Sequence, residues 1–209
     1  MQTKDLDRKQ PKKTLYKDLA ASLAALLEGE TDALANLSNA SALLSQAMDR
    51  INWCGVYLMR KGELVLGPFQ GKPACVRIPV GKGVCGTAAA RRETIVVPDV
   101  NAFPGHIACD AASRSEIVVP IVEGRKFHGV LDVDSPDLNR FDAEDRKGLE
   151  GFVAVLVPRI HTTIRFQQSW IGVLLHPLAI ALLLAVQWYA IARAVIGKPV
   201  GWKGREHPL

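Results

Sequence analysis

The spacing of hydrophobic residues changes twice along this chain of 209 residues, and this change restricts its fold more than any other feature. Residues 14–28 and 31–48 carry leucines three and four positions apart, which predicts two amphipathic helices. Residues 52–133 have a strand-like pattern instead, and residues 142–156 return to a helical one. Helices at both ends of a run of strands predict an α+β fold, with a central antiparallel sheet flanked by N- and C-terminal helices.

Six short runs within the strand-like region have the composition of β-strands. Turn residues at Lys61-Gly62 and Glu123-Gly124 predict two hairpins. Between the strands, residues 79–86 and 99–114 are rich in glycine and polar side chains and are predicted to be loops. The six predicted strands are residues 52–59, 63–68, 75–80, 94–97, 116–122 and 126–133.

The net charge of +5 is concentrated at the C-terminus. Residues 1–150 hold 20 basic and 20 acidic side chains, whereas residues 151–209 hold 6 basic side chains and one acidic. These basic residues flank an apolar stretch, which favours a membrane surface over nucleic acid as their partner.

That apolar stretch runs for 23 residues, 170–192, without a formal charge, which is enough to cross the hydrocarbon core of a bilayer. Trp170, Trp188 and Tyr189 stand near its ends, as aromatic residues do at membrane interfaces. We predict a transmembrane or re-entrant helix over residues 170–196. The alternatives are a buried helix of an oligomer and a hairpin broken at His176-Pro177.

Four cysteines are present, at positions 54, 75, 85 and 109. The polar N-terminus lacks a secretory signal, so we expect reduced thiols. No pair has CxxC spacing, which argues against a structural zinc site, and we expect no metal. Three cysteines stand among carboxylates on glycine-rich loops, an arrangement that suggests thiol redox chemistry.

Five segments resemble the free methionine-(R)-sulfoxide reductase family. They are INWCGVYL (residues 51–58), LGPFQGKPACVRIP (66–79), GKGVCGTA (81–88), GHIACDAASRSEIV (105–118) and GVLDVDS (129–135). The resemblance covers roughly residues 14–160. It implies a GAF-type domain and reduction of free L-methionine-(R)-sulfoxide to L-methionine, with no cofactor and with electrons supplied by thioredoxin. The family also suggests a homodimer.

The resemblance assigns Cys109 as the nucleophile that attacks the sulfoxide sulfur and becomes a sulfenic acid. Cys75 and Cys85 are the candidates for resolving that sulfenic acid to a disulfide, with Cys75 narrowly favoured. Cys54 lies in a strand-like run, where we expect a small buried hydrophobe.

The same resemblance places Glu116, Asp132 and Asp134 in an acidic pocket. The substrate is a zwitterion, so its ammonium needs carboxylates, and one buried, protonated carboxyl could donate to the sulfoxide oxygen. Asp132 and Asp134 are two apart on a strand and therefore point to one face. We expect Trp53 and Tyr57 to contact the S-methyl group, although Trp53 is equally suited to the core. Backbone N–H groups near residues 83–86 are expected to bind the substrate carboxylate.

The C-terminal tail departs from the reductase family. Its ending GKPVGWKGREHPL, with the preceding apolar run, resembles the membrane end of family-2 glycosyltransferases, whose catalytic domain is missing here. We expect a cytoplasmic reductase domain held at the inner face of a membrane. The predicted organisation is a disordered segment (1–13), the reductase domain (14–160), a linker (161–169), the membrane-seeking helix (170–196) and a basic tail (197–209).

Two rival functions remain open on the sequence. One is a non-catalytic GAF module that senses a small molecule at the membrane, and the other is a thiol-based redox sensor. The three cysteines beside an acidic pocket favour the enzyme, because a small-molecule sensor needs neither.

Overall fold

The computed structural model describes residues 7–8, 10–107, 109–165, 181–189 and 191–193. Residues 1–165 form one compact unit, and residues 166–209 form another. The helices of the first unit are α1 (Lys12–Leu26), α2 (Ala33–Ala47), α3 (Gly83–Arg91) and α4 (Ala143–Arg165). Its strands are β1 (Trp53–Arg60), β2 (Glu63–Gly71), β3 (Arg77–Pro79), β4 (Ile95–Val97), β5 (Ser115–Glu123) and β6 (Lys126–Ser135).

The six strands form a single antiparallel sheet in the order β3-β2-β1-β6-β5-β4. Arg60 pairs with Glu63 across Lys61 and Gly62, which both have positive φ, the geometry of a type I′ hairpin turn. Both predicted hairpins and the α+β architecture are therefore confirmed.

The two faces of the sheet contact different layers. Cys54, Val56, Leu131 and Val133 lie on the face covered by α1, α2 and α4, and they join the larger hydrophobic core. Residues one position away along the same strands point to the other face, where α3 and the connecting loops enclose a smaller core. This second face contains the candidate site, and the three-helix layer supports it from behind.

Helix α3 is the main difference from the predicted elements, since residues 79–86 were expected to form a loop. Three glycines within residues 81–86 weaken any helical pattern. Tertiary contact favours the helix: Val84, Ala88 and Ala89 are buried against the sheet. A Cβ at Gly86 would overlap the carbonyl oxygen of Pro79, so the close approach of backbones here requires glycine.

Several boundaries also differ from the prediction. Helix α1 begins at Lys12, within the segment 1–13 expected to be disordered, because Lys12 pairs with Asp142 and Asp145 of the α4 region. Helix α4 continues to Arg165, through the first half of the predicted linker. The other described residues of the N-terminal segment are 7, 8, 10 and 11.

The predicted membrane helix at residues 170–196 is not supported. Within it, residues 181–189 and 191–193 are helical, and the remaining positions lie outside the described residues, as does the basic tail 197–209. No helix in the part of the chain that the structure describes has the length and apolarity needed to span a bilayer.

Candidate active site

The central strands align the predicted acidic residues in one row. Asp134 of β6 pairs with Trp53 of β1 on one side and with Glu116 of β5 on the other. Asp132 lies two positions along β6 on the same face and pairs with Gly55. The register therefore brings together carboxyl groups that are up to 18 positions apart in sequence.

Cys75 and Cys109 are joined by a disulfide, with their Cα atoms 5.6 Å apart. Cys75 lies between β2 and β3, Cys109 lies in the connection that precedes β5, and both are half-buried. The hydroxyl of Tyr57 donates to the carbonyl oxygen of Cys75 at 3.1 Å, which fixes one side of the pair. In the structure these two residues form a disulfide rather than the reduced thiols expected from the sequence, because the loops hold their Cα atoms at a distance that a disulfide can span.

Cys85 is the third predicted redox cysteine, and it is a free thiol buried in α3. Its Sγ donates to Oδ2 of Asp132 at 3.2 Å and lies 3.9 Å from Oε1 of Glu116. Burial, followed by the charges of these two carboxyl groups, raises the pKa of Cys85 well above that of an ordinary thiol. A thiolate is therefore disfavoured at Cys85.

Burial is also the largest influence on the three carboxyl groups. It raises the pKa of Glu116 and of Asp134 well above the usual values, with further contributions from the charge of Asp132. The pKa of Asp132 rises to about 6, since hydrogen bonds from Cys85 and Glu116 partly offset its burial. Asp132 is thus the first of the three to ionise as the pH rises.

Two adjoining cavities meet at the disulfide. The first occupies about 380 Å³, including the part open to solvent, and the second about 220 Å³. Both are lined by Cys109, Asp132 and Asp134. The space open to a water-sized sphere is about 30 Å³ in the first cavity and about 10 Å³ in the second, so both are narrow while the disulfide is closed.

Trp53 and Tyr57 line the second cavity. Their rings stack with centroids 5.9 Å apart, and Trp53 also stacks on Phe69 at 5.5 Å. Trp53 is buried in the smaller core and also borders the second cavity.

The first turn of α3 borders the first cavity through Gly83, Val84 and Cys85. The helix begins after Lys82, whose side chain makes no capping hydrogen bond. The first N–H groups of a helix have no partner within it and carry a partial positive charge, which suits a carboxylate ligand.

The sequence reasoning missed a polar network behind Cys109. Asp110 accepts hydrogen bonds from the Asn52 amide at 3.1 Å and from the Lys72 ammonium at 3.2 Å. Asn52 also donates to the hydroxyl of Ser113 at 3.0 Å. Hydrogen bonds from the Ala112 backbone, Asn52 and Lys72 lower the pKa of Asp110, so it is ionised. The position of Asp110 directly after Cys109 was the available signal.

His106 borders the candidate site, whereas Cys54 does not. His106 lines the first cavity, and burial lowers its pKa, so the imidazole is neutral at neutral pH. Cys54 is buried on the opposite, helix-covered face, as expected for a small hydrophobe.

Residues 22–157 match the model of the GAF domain family. The chain is 55% identical over 152 residues to the free methionine-R-sulfoxide reductase of Escherichia coli, which covers 73% of this chain and 92% of that protein. It is 49% identical over 148 residues to the Saccharomyces cerevisiae protein of the same name, covering 66% and 82%.

A solved structure supports the same relationship. The free methionine-R-sulfoxide reductase of Neisseria meningitidis, in complex with its substrate, superposes with a TM-score of 0.75 at 42% identity, covering 79% of this chain and 99% of that one. These matches leave the resemblance of the C-terminal tail to glycosyltransferases unsupported. The chain belongs to the GAF-domain family and, within it, to the free methionine-R-sulfoxide reductases.

Proposed function

We propose that the protein reduces free L-methionine-(R)-sulfoxide to L-methionine with the electrons of a thiol pair. The observation that carries this function is the Cys75–Cys109 disulfide at the edge of a buried acidic cavity. Relatives named as free methionine-R-sulfoxide reductases at 49% and 55% identity support the same activity.

In the proposed reaction, the thiolate of Cys109 attacks the electrophilic sulfur of the sulfoxide. One oxygen atom passes from that sulfur to Cys109, which becomes a sulfenic acid, and methionine is released. The Cys75 thiol then attacks the sulfenic sulfur, forming the disulfide and releasing water. Two thiols thereby supply the two electrons that the sulfoxide accepts.

The choice of Cys75 as the resolving residue rests on its bond to Cys109. Cys85 is less suited, because its raised pKa and its contacts with two carboxyl groups keep it a thiol. Nucleophilic attack in thiol exchange requires the thiolate.

The carboxyl groups divide two tasks in this proposal. Asp132, the first to ionise, attracts the substrate ammonium. Glu116 or Asp134, whose pKa values burial raises well above the usual range, donates a proton to the sulfoxide oxygen and makes the sulfur more electrophilic. The first turn of α3 accepts the substrate carboxylate, and Trp53 and Tyr57 contact the S-methyl group.

We further propose thioredoxin as the reductant and a homodimer as the assembly. The half-buried position of Cys75 and Cys109 is compatible with a protein dithiol as the reductant.

The activity test is oxidation of NADPH in the presence of thioredoxin and thioredoxin reductase, with separate R and S epimers of free methionine sulfoxide. We expect turnover of the R epimer alone, loss of turnover in Cys109→Ser, and no more than a minor change in the control Cys54→Ser. We expect Cys75→Ser to reduce about one equivalent of substrate and then stop with this reductant. No turnover of either epimer by folded, reduced protein would favour a non-catalytic sensor.

Membrane association of residues 170–196 is a separate proposal. It rests on the 23 uncharged residues 170–192 and on exposed apolar side chains among the described positions, including Leu183 and Trp188. Fractionation of cells expressing the full chain tests it. Recovery of the full chain in the membrane pellet, with residues 1–165 in the supernatant, is the expected result, and recovery of both in the supernatant contradicts it.

A further inference from the structure

Three donor atoms converge beside the disulfide without belonging to it. The Sγ atom of Cys85 and one carboxyl oxygen each of Glu116 and Asp132 all lie within 4.8 Å of one another. All three side chains are buried, with exposures of 4%, 6% and 6%. A thiol and two carboxyl groups on the ends of α3, β5 and β6 are thus held by rigid elements on one side of the first cavity.

A second observation is the unused acceptor capacity of this cluster. The Oδ1 atom of Asp132 has no hydrogen-bond partner, although Asp132 is buried and borders both cavities. Among the described residues, no Lys, Arg or His side chain lies within ion-pair distance of Glu116, Asp132 or Asp134. Buried carboxylates ordinarily have a cation, a metal or a complete set of donors as partners, so the unpartnered Oδ1 of Asp132 offers a position for a cation in this cluster.

We propose that Cys85, Glu116 and Asp132 form a binding site for a thiophilic divalent cation, Zn²⁺, with its fourth coordination position open to the substrate cavity. This inference departs from the expectation of no metal, which rested on the spacing of cysteines along the chain. Here the fold assembles the ligands from three separate elements, which sequence spacing does not reveal.

The observed separations suit tetrahedral zinc. With a Zn–S bond of about 2.3 Å and a Zn–O bond of about 2.1 Å, a tetrahedral site places sulfur and oxygen about 3.6 Å apart. The Cys85 sulfur lies 3.2 Å from Oδ2 of Asp132 and 3.9 Å from Oε1 of Glu116, on either side of that value. Small side-chain rotations therefore convert the hydrogen-bonded cluster into a coordination set.

Zinc at this position replaces protons. The Cys85 thiol and the Glu116 carboxyl lose theirs when they become ligands, so the affinity for zinc increases with pH. Zinc also occupies the carboxylates assigned to the substrate ammonium, which makes it a reversible inhibitor that competes with methionine sulfoxide. This competition, unlike the binding itself, rests on the proposed function.

The site is intact in the oxidised protein, because Cys85 does not take part in the Cys75–Cys109 disulfide. This permits a direct experiment on the full chain without a histidine tag. With the disulfide closed, Cys85 and Cys54 are the remaining thiols. Zinc is titrated by competition with a chromogenic chelator, and Co²⁺ is used in parallel for its thiolate charge-transfer absorption.

We expect one high-affinity equivalent of zinc on the oxidised protein and a thiolate band with cobalt. Cys85→Ser is expected to abolish the cobalt band, and Cys85→Ser and Glu116→Gln should each weaken zinc binding at least about tenfold, since even indirect partners of zinc ligands change affinity by about 10- to 100-fold. Cys54→Ser, on the opposite face of the sheet, is the matched control and should bind normally. Circular dichroism establishes that each variant is folded.

The proposal is overturned if the oxidised protein binds no zinc, or if Cys85→Ser and Glu116→Gln bind it as the unmodified chain does. Binding that appears only after reduction would place the metal on Cys75 and Cys109 and would also overturn it. Zinc-free turnover of the R epimer tests the enzymatic function independently, so failure of one proposal does not imply failure of the other.

Discussion

At the scale of single residues, the three carboxyl groups of the site ionise at different pH values, and Asp132 loses its proton at a lower pH than Glu116 and Asp134. Glu116, Asp132 and Asp134 are identical in type or nearly so, and their order of ionisation arises from local hydrogen bonds. Burial is the largest influence on the pKa of all three, and at Asp132 hydrogen bonds from Glu116 and from the Cys85 thiol at 3.2 Å partly offset it. The arrangement provides Asp132 as a carboxylate for an ammonium, and a carboxyl group of raised pKa as the acid for an oxygen.

Asp132 should make the stability of the protein fall as pH rises. In the folded protein its pKa is about 6, whereas an unfolded aspartate has a pKa of about 3.9. Between these values the folded state binds a proton that the unfolded state has released, so the free energy of unfolding decreases from about pH 4 to about pH 6. Relative to Asp132→Asn, the unmodified protein should lose up to about 3 kcal/mol over this interval.

Urea unfolding of both proteins at several pH values measures this difference. The exposed substitution Glu28→Gln serves as the control and should show the same pH dependence as the unmodified chain. If the Asp132→Asn variant also followed that dependence, the assignment of a raised pKa to Asp132 would be wrong.

Asn52 should act on the reaction as a positioning residue, because it holds Asp110 directly after Cys109. A hydrogen bond to a charged group contributes about 1.5–3 kcal/mol, so Asn52→Ala should lower kcat/KM about tenfold or more. Formation of the Cys75–Cys109 disulfide after addition of one equivalent of substrate should also be slower. Thiol titration over time measures this rate.

Asn101→Ala is the matched control for Asn52→Ala, since Asn101 is exposed and lies on the connection between β4 and β5 that also carries Cys109 and Asp110. It should leave both rates unchanged. A lower unfolding temperature for Asn52→Ala with unaltered disulfide kinetics would indicate a purely structural role.

At the scale of elements, α3 depends on close contact between backbones. The backbone N–H of Gly81 donates to the carbonyl oxygen of Gly86 at 2.7 Å, and this turn sets the first turn of α3 against the cavity. Gly86 has no room for a side chain because of the Pro79 carbonyl, whereas Gly151 in α4 has open space around it. The two glycines therefore differ in what an added methyl group would do.

Gly86→Ala is expected to lower the free energy of unfolding by about 1–3 kcal/mol, the usual effect of overpacking. It should also raise KM, because the first turn of α3 shifts. Gly151→Ala should instead stabilise the helix by about 0.5–1 kcal/mol. Thermal unfolding and steady-state kinetics measure both effects, and a neutral Gly86→Ala would contradict the close packing described for α3.

At the scale of the compact unit 1–165, a buried ionic cluster joins the two ends of the fold. Asp145 at the start of α4 is fully buried and accepts from the Tyr16 hydroxyl at 2.8 Å and from the Arg140 guanidinium at 3.3 Å. Lys12 pairs with Asp145 at 2.5 Å, and Arg140 also reaches Asp49 after α2. This cluster connects α1, α2 and α4 behind the sheet that carries the site.

Asp145→Asn should therefore destabilise the whole unit, because Arg140 would keep a buried charge without its buried counter-charge. Removing one partner of a buried ion pair lowers stability by about 3–5 kcal/mol. The neighbouring exposed change Glu144→Gln should alter it by less than about 0.5 kcal/mol. Urea unfolding followed by circular dichroism gives both values, and an equally small effect in the two variants would show that the cluster is not essential.

The spacing of hydrophobic residues was sufficient to predict the antiparallel sheet and the terminal helices, because each of these elements buries one face. The turn residues at Lys61-Gly62 and Glu123-Gly124 were sufficient to predict both hairpins. The motifs around Cys75, Cys85 and Cys109 were likewise sufficient to predict the reductase family. Helix α3 was missed, since its glycines conceal a helix that exists through contact with Pro79 and the sheet.

The chain's sequence by itself determined which chemical groups are present and which strand face each one occupies. Only the tertiary structure decided which cysteines are bonded, which carboxyl group ionises first, and that Asn52 and Lys72 hold Asp110. The physical reason is that a bond, a pKa and a hydrogen bond depend on distance and burial. Those quantities arise when residues far apart in sequence, such as Cys85 and Asp132, are packed together.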